Sequence, residues 1–136
     1  MWSPERGLCL IHRFVYGRSI PARPMLDCDV QAKGRSHLVL AMVDSGADDT
    51  IFPMYVARDL GLMPAGDSRE MMRGLTGAVA PLYRWDVTLQ FSFGSFRVRA
   101  GFCDALRIGI LGQNGFFDQA RVMFDRRSRL FTVDPY

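Results

Sequence analysis

Cysteine and histidine are scarce in this sequence, and their scarcity removes several chemistries. The 136 residues hold three cysteines, Cys9, Cys28 and Cys103, far apart and with no Cys-x-x-Cys pair. That spacing argues against a disulfide framework and against a structural zinc site. Reduced thiols in a reducing, cytoplasmic setting are expected, with neither a metal nor a cofactor. His12 and His37 are the only histidines. Neither stands in a recognisable catalytic dyad, and each is expected to be solvated or packed in a core. Long apolar runs are missing too: no stretch approaches the ~18–20 residues that cross a bilayer, so no membrane association is expected. The opening Met1–Arg6 lacks the basic-then-apolar order of a secretory leader, and Leu8–Ile11 is too short to be its apolar core. Charge is modest, with a formal net of +3 and a pI of about 9.0. The one basic cluster, Arg126, Arg127 and Arg129 around Ser128, reads as a solvated hairpin turn. A nucleic-acid surface needs more charge with aromatics interleaved. No repeat or low-complexity tract breaks the chain, and its length suits one domain with one core.

What the sequence does have is one apolar run that ends in acid. Leu38, Val39, Leu40, Ala41, Met42 and Val43 lead straight into Asp44-Ser45-Gly46-Ala47-Asp48-Asp49. Thr50, Ile51, Phe52 and Pro53 then return to apolar character. A continuous run rich in Val and Leu predicts a strand buried on both faces. Gly46 allows a sharp turn after Asp44 and close approach of another backbone. Ser45 offers a hydroxyl that donates and accepts at once. Read locally, Asp44 ends a strand in an Asx turn.

The remaining elements follow from period and punctuation. Leu8–Tyr16 reads as a strand, and Arg18–Pro24 as an extended connection. Leu26, Cys28, Val30 and Ala32 alternate with polar residues, a half-buried strand that turns at Lys33–Ser36 into the run above. Met54–Leu60 is expected to be a short helix closed by Gly61. Met71–Leu82 carries Gly74 and Gly77 between apolar flanks and suits a hairpin tip. Val87, Leu89, Phe91 and Phe93, then Phe96, Val98, Ala100 and Phe102 across Gly94-Ser95, form the clearest hairpin. A second short helix is expected over Gly112–Gln119, and a last hairpin pairs Ala120–Asp125 with Leu130–Val133. Seven or eight strands with at most two short helices make an all-β, barrel-like domain.

Two segments carry a resemblance. Val43-Asp44-Ser45-Gly46-Ala47-Asp48-Asp49-Thr50-Ile51-Phe52-Pro53 resembles the active-site loop of the retropepsin-like aspartic proteases. Ile108-Gly109-Ile110-Leu111-Gly112-Gln113-Asn114-Gly115-Phe116-Phe117 resembles the segment that packs beside that loop near the end of those domains. The resemblance spans Pro24 to Val133, and it implies a closed β-barrel with one or two short helices. On this division residues 24–136 form the protease domain, and residues 1–23 form an N-terminal extension or added edge strand.

The resemblance implies an aspartic endopeptidase. Only one Asp-Ser-Gly occurs, so the two carboxylates such catalysis needs would come from Asp44 of each subunit of a homodimer. Ser45 would bond across the dimer axis, and Gly46 would accept substrate backbone. Ala47, Asp48 and Asp49 would line the cleft. Gly74, Leu75, Thr76 and Gly77 would form a flap over an extended peptide or protein substrate. Where viral members commonly carry an arginine after the glycine of the second motif, this chain has Gln113, which leaves Asp48 to neutral hydrogen bonds. Pro135 works against a long interdigitated terminal strand, so dimerisation through another surface is expected. The competing reading is a peptide-binding or scaffold module on the same fold, without turnover.

Overall fold

A two-residue turn makes the hairpin that delivers Asp44. In the computed structural model, which describes residues 12–17, 21–64, 69–73 and 79–136, β2 (Met25–Ala32) pairs antiparallel with β3 (Arg35–Val43) over eight registered residues. Lys33 and Gly34 alone make the turn, with φ of 52° and 72°. Positive φ at both positions is the signature of a type I′ turn, whose twist matches that of the strands it joins. Four residues were expected in this turn; Arg35 and Ser36 already belong to β3.

The strands then close on themselves. β4 (Ile51–Pro53), β6 (Val79–Phe91), β7 (Gly94–Cys103) and β8 (Gly109–Leu111) join β2 and β3 in the order β2-β3-β8-β4-β7-β6. β6 pairs back onto β2 at Asp29–Gln31, which makes a closed six-stranded barrel. β5 (Arg69–Arg73) hangs on the outer end of the long strand β6, from Arg69 opposite Tyr83 to Arg73 opposite Val79. β1 (His12–Val15), β10 (Leu130–Pro135) and β9 (Ala120–Asp125) form a separate three-stranded sheet with β10 in the middle. The terminal strand is thus paired along both edges within its own chain. Ten strands are present among the described residues, more than the seven or eight expected.

One apolar core fills this frame. Val30, Ala41, Phe52, Leu89, Ala100, Phe102, Leu111 and Phe116 are fully buried within it. Phe91, Phe93, Phe96 and Phe116 contact one another at centroid distances of 4.8–6.5 Å. Phe14, stacked at 5.3 Å on Phe131 of its own sheet, reaches Phe93 at 5.7 Å, which fastens the three-stranded sheet to the barrel. Such edge and stacked contacts add to area burial. The helix α1 (Met54–Asp59) buries Met54, Val56 and Ala57. It stops because Gly61 takes φ +73° and the N–H groups of Gly61 and Leu62 bond to the carbonyls of Arg58 and Ala57. This is a Schellman ending, which a glycine makes cheaply. His37 lies 2.7 Å from Asp59 and edge-on to Tyr55, so it ties β3 to α1.

Two further expectations are corrected. β3 is not buried on both faces: Val39, Ala41 and Val43 are buried, whereas Leu38 is 65% and Leu40 46% exposed. A barrel strand has one face toward the core, and Leu38 and Leu40 stand opposite Asp29 and Asp27 on the other. The helix expected over Gly112–Gln119 is a series of turns. Gly115 takes φ +100°, and the N–H groups of Phe117 and Asp118 reach five residues back, to Gly112 and Gln113. No i to i−4 ladder starts there. Among the described residues no helix is long and apolar enough to cross a membrane.

Candidate active site

Asp44 is placed by strand pairing. β3 runs parallel to β8 with Val43 beside Leu111, and the next N–H, that of Asp44, donates to the Leu111 carbonyl at 3.0 Å. The chain then turns at once. The Gly46 N–H donates to the Asp44 carboxylate at 3.0 Å and the Ala47 N–H to the Asp44 carbonyl at 3.2 Å. This is the Asx turn read from the sequence. It leaves Asp44 half-buried and exposes Ser45, Gly46 and Asp48. Among the described residues the Ser45 hydroxyl makes no hydrogen bond, and the Asp44 carboxylate has only the Gly46 N–H.

The second segment braces this loop from behind. The Gln113 and Asn114 N–H groups donate to the Ala47 and Asp48 carbonyls at 2.9 and 2.8 Å. The Gln113 side chain donates to the Ser45 carbonyl at 2.6 Å. Thr50, 2% exposed, is the hinge of the joint. Its hydroxyl donates to the Asn114 carbonyl at 2.8 Å and accepts from the Gly112 N–H at 3.2 Å. Gly112 has no room for a side chain, since a Cβ there would sit 2.8 Å from the Ala47 carbonyl oxygen. The glycine between the two segments is therefore a packing requirement.

Asp49 is held through both carboxylate oxygens. One carboxylate oxygen accepts from the Asn114 side chain at 3.2 Å and the other from Arg84 of β6 at 3.1 Å. Arg84 also donates to Glu70 of β5 at 2.9 Å. Burial opposes the Arg84 charge, but the hydrogen bonds and charges of Glu70 and Asp49 outweigh it and raise the pKa above the ordinary value. Arg84 and Glu70 were not singled out from the sequence. They lie 14 positions apart, and no local motif marks either one. Asp48 is held through its backbone carbonyl, and its side chain has no hydrogen bond among the described residues.

The expected flap residues Gly74, Leu75, Thr76 and Gly77 lie outside the described residues; Arg73 and Val79 are the last pair described before them. Beside the loop, Ile51, Leu82 and Cys103 form a small apolar cluster with Ala80 and Leu106. A cavity of about 490 Å³ opens elsewhere, lined by Gln31, Trp85, Arg97 and Arg99 among others. None of residues 44–49 lines it, and the loop chemistry makes Asp44 the stronger candidate site. Cys28 is fully buried, and burial first, then the Asp29 charge, pushes its thiol well above the usual range. Such a thiol is a poor nucleophile.

A family profile described as aspartyl protease matches residues 29–115, which include both braced segments. The chain belongs to the aspartyl protease family. No curated protein matches the sequence. Among solved structures, a retropepsin-like aspartic protease from Rickettsia conorii is similar, with a TM-score of 0.66 and 14% identity over 89% of this chain and 98% of that one. The EIAV protease, solved with the inhibitor HBY-793, is similar with a TM-score of 0.54 and 18% identity over 67% of this chain and 82% of that one. At these identities the likeness concerns fold. This aspartyl protease family member has a retropepsin-like fold: mostly strands, one short helix among the described residues, and a closed six-stranded barrel.

Proposed function

We propose that this family member is an aspartic endopeptidase that works as a homodimer, each subunit contributing Asp44. The observation that carries this reading is a half-site. A single half-buried Asp44 stands on a rigidly braced loop, beside a Ser45 hydroxyl with no partner among the described residues. In the dimer the two loops meet on a two-fold axis. Like charges ~3 Å apart cannot both ionise, so the pair holds one proton. The ionised Asp44 takes a proton from water as its oxygen attacks the scissile carbonyl carbon. The protonated Asp44 gives its proton to the carbonyl oxygen. The tetrahedral diol then collapses. One hydroxyl proton returns to the pair, the amide nitrogen takes a proton, and the C–N bond breaks to acid and amine.

The two Ser45 hydroxyls bond across the axis and keep the carboxylates coplanar. The Gly46 carbonyl accepts a substrate N–H, and Ala47 and Asp48 flank the peptide main chain, which lies extended like an added strand. Gly74, Leu75, Thr76 and Gly77 enter only through the resemblance, as the residues that cover the peptide. Asp44→Asn is expected to lower peptide-library cleavage by about 10²–10⁴-fold, with a dimer by sedimentation at micromolar concentration. Unchanged cleavage in Asp44→Asn refutes the reading. A monomer that binds peptides without cleaving them supports a binding module instead.

A further inference from the structure

We infer that Arg84 is a positioning residue that withdraws Asp49 from substrate recognition and fastens the β5–β6 hairpin to the active-site loop, so that this protease takes peptides with an uncharged side chain beside residue 49. The inference rests on the peptidase reading above and adds a specificity to it.

Register puts Arg84 where it can do this. Arg84 stands opposite Gly101 on β7. The Gly101 N–H donates to the Thr50 carbonyl at 2.9 Å, so Arg84 lies one strand away from the residue after Asp49. Gly101 itself is crowded: a Cβ there would lie 2.7 Å from a Leu82 methyl. On the other side, Glu70 is opposite Leu82. Leu82 and Arg84 are two residues apart on one strand and share a face, so Glu70 and Arg84 are diagonal cross-strand neighbours. The guanidinium therefore bridges two acids on separate elements. One, Glu70, sits on the hairpin strand β5; the other, Asp49, lies five residues after Asp44 on the active-site loop.

Exposure decides what the bridge does. The Arg84 side chain is 21% exposed and that of Asp49 29%, whereas that of Glu70 is 54% exposed. The Arg84–Asp49 contact is thus the better shielded from solvent and salt. With Asn114 on its other oxygen, each Asp49 carboxylate oxygen accepts a hydrogen bond, and the Arg84 charge, shared with Glu70, lies against one of them. A lysine or arginine of a substrate would meet the Arg84 charge as it approached that carboxylate. An uncharged side chain meets no such barrier, and the apolar cluster of Ile51, Leu82 and Cys103 lies on the strands adjoining this position.

The test is cleavage of a peptide library in which each position flanking the scissile bond is varied among Lys, Gln and Leu. Arg84→Met keeps much of the stem and removes the charge. It is expected to raise kcat/KM for lysine peptides at one position by about tenfold relative to leucine peptides, as an uncovered carboxylate attracts a cation. The double variant Arg84→Met with Asp49→Asn is expected to lose that gain, because no carboxylate remains to uncover. Glu70→Gln leaves Asp49 covered and is expected to raise KM without changing the preference. Arg84→Lys, the conservative variant, is expected to fall between wild type and Arg84→Met in preference. An Arg84→Met library profile identical to wild type overturns the inference. So does a lysine gain that survives Asp49→Asn. Should Arg84→Met fail to fold, Arg84→Lys with a wild-type profile has the same force. The peptidase reading stands or falls separately, on Asp44→Asn.

Discussion

Replacing Thr50 by valine swaps a hydroxyl for a methyl at constant shape, and the structure makes that a severe change. The Thr50 hydroxyl satisfies two backbone groups of the second segment, the Gly112 N–H and the Asn114 carbonyl. Valine leaves both without their partner. An orphaned buried polar group costs about 1–3 kcal/mol. The Gly112 N–H is buried and bears that in full, whereas the Asn114 carbonyl is partly covered and water takes some of the loss. The added methyl returns about 0.8 kcal/mol. The net is a destabilisation of about 2–3 kcal/mol, a large share of the ~5–15 kcal/mol that holds a domain of this kind together. Thr50→Ser keeps both hydrogen bonds and loses one methyl, about 1 kcal/mol. The assay is urea unfolding at one fixed protein concentration, since any self-association would shift apparent stability. With a slope near ~2 kcal/mol/M, the valine midpoint is expected to drop by about 1–1.5 M and the serine midpoint by about half as much. A Thr50→Val chain as stable as Thr50→Ser, or more so, refutes the claim that this hydroxyl joins the two segments.

Gly112→Ala is expected to cost about 1–3 kcal/mol by overpacking, because its Cβ would meet the backbone of Ala47 and Asp49 rather than a flexible side chain. Peptide cleavage should fall with it, and full activity in Gly112→Ala would refute the close approach. In a Cys9→Ser background, thiol labelling of the folded chain is expected to find neither Cys28 nor Cys103, since both are buried. Rapid native labelling of Cys28 would contradict its burial. The Cys28 pKa is raised on folding, so above the ordinary value of 9.0 the unfolded chain loses a proton that the folded chain keeps. Unfolding free energy should therefore fall as pH climbs past that value. Cys28→Ala should show a shallower alkaline fall; equal slopes would refute this assignment.

How much of the site was legible depended on whether the partners were near in sequence. The Asp44–Gly46 turn was readable, because an Asp two residues before a glycine carries its own acceptor and its own hinge. The Schellman end of α1 was readable from Gly61 for the same reason. The second helix expected over Gly112–Gln119 does not form, because Gly115 at positive φ and the long-reach hydrogen bonds of Phe117 and Asp118 stop any helix from starting. The two-face burial of β3 was misread because an apolar run of six does not say how many layers surround it.

By itself, then, the chain's order of residues determined the longer alternating strands and the loop bearing Asp44, since alternation and turn chemistry act over a few neighbouring positions. Tertiary structure alone decided which backbone groups Thr50 would satisfy and that Arg84 would stand between Asp49 and Glu70. Those contacts exist only once β6 has taken its place between β7 and β5 and the segment after β8 has docked behind the loop. The physical reason is reach: a hydrogen bond spans about 3 Å, and only closure of the barrel brings residues 35 or 64 positions apart within that distance.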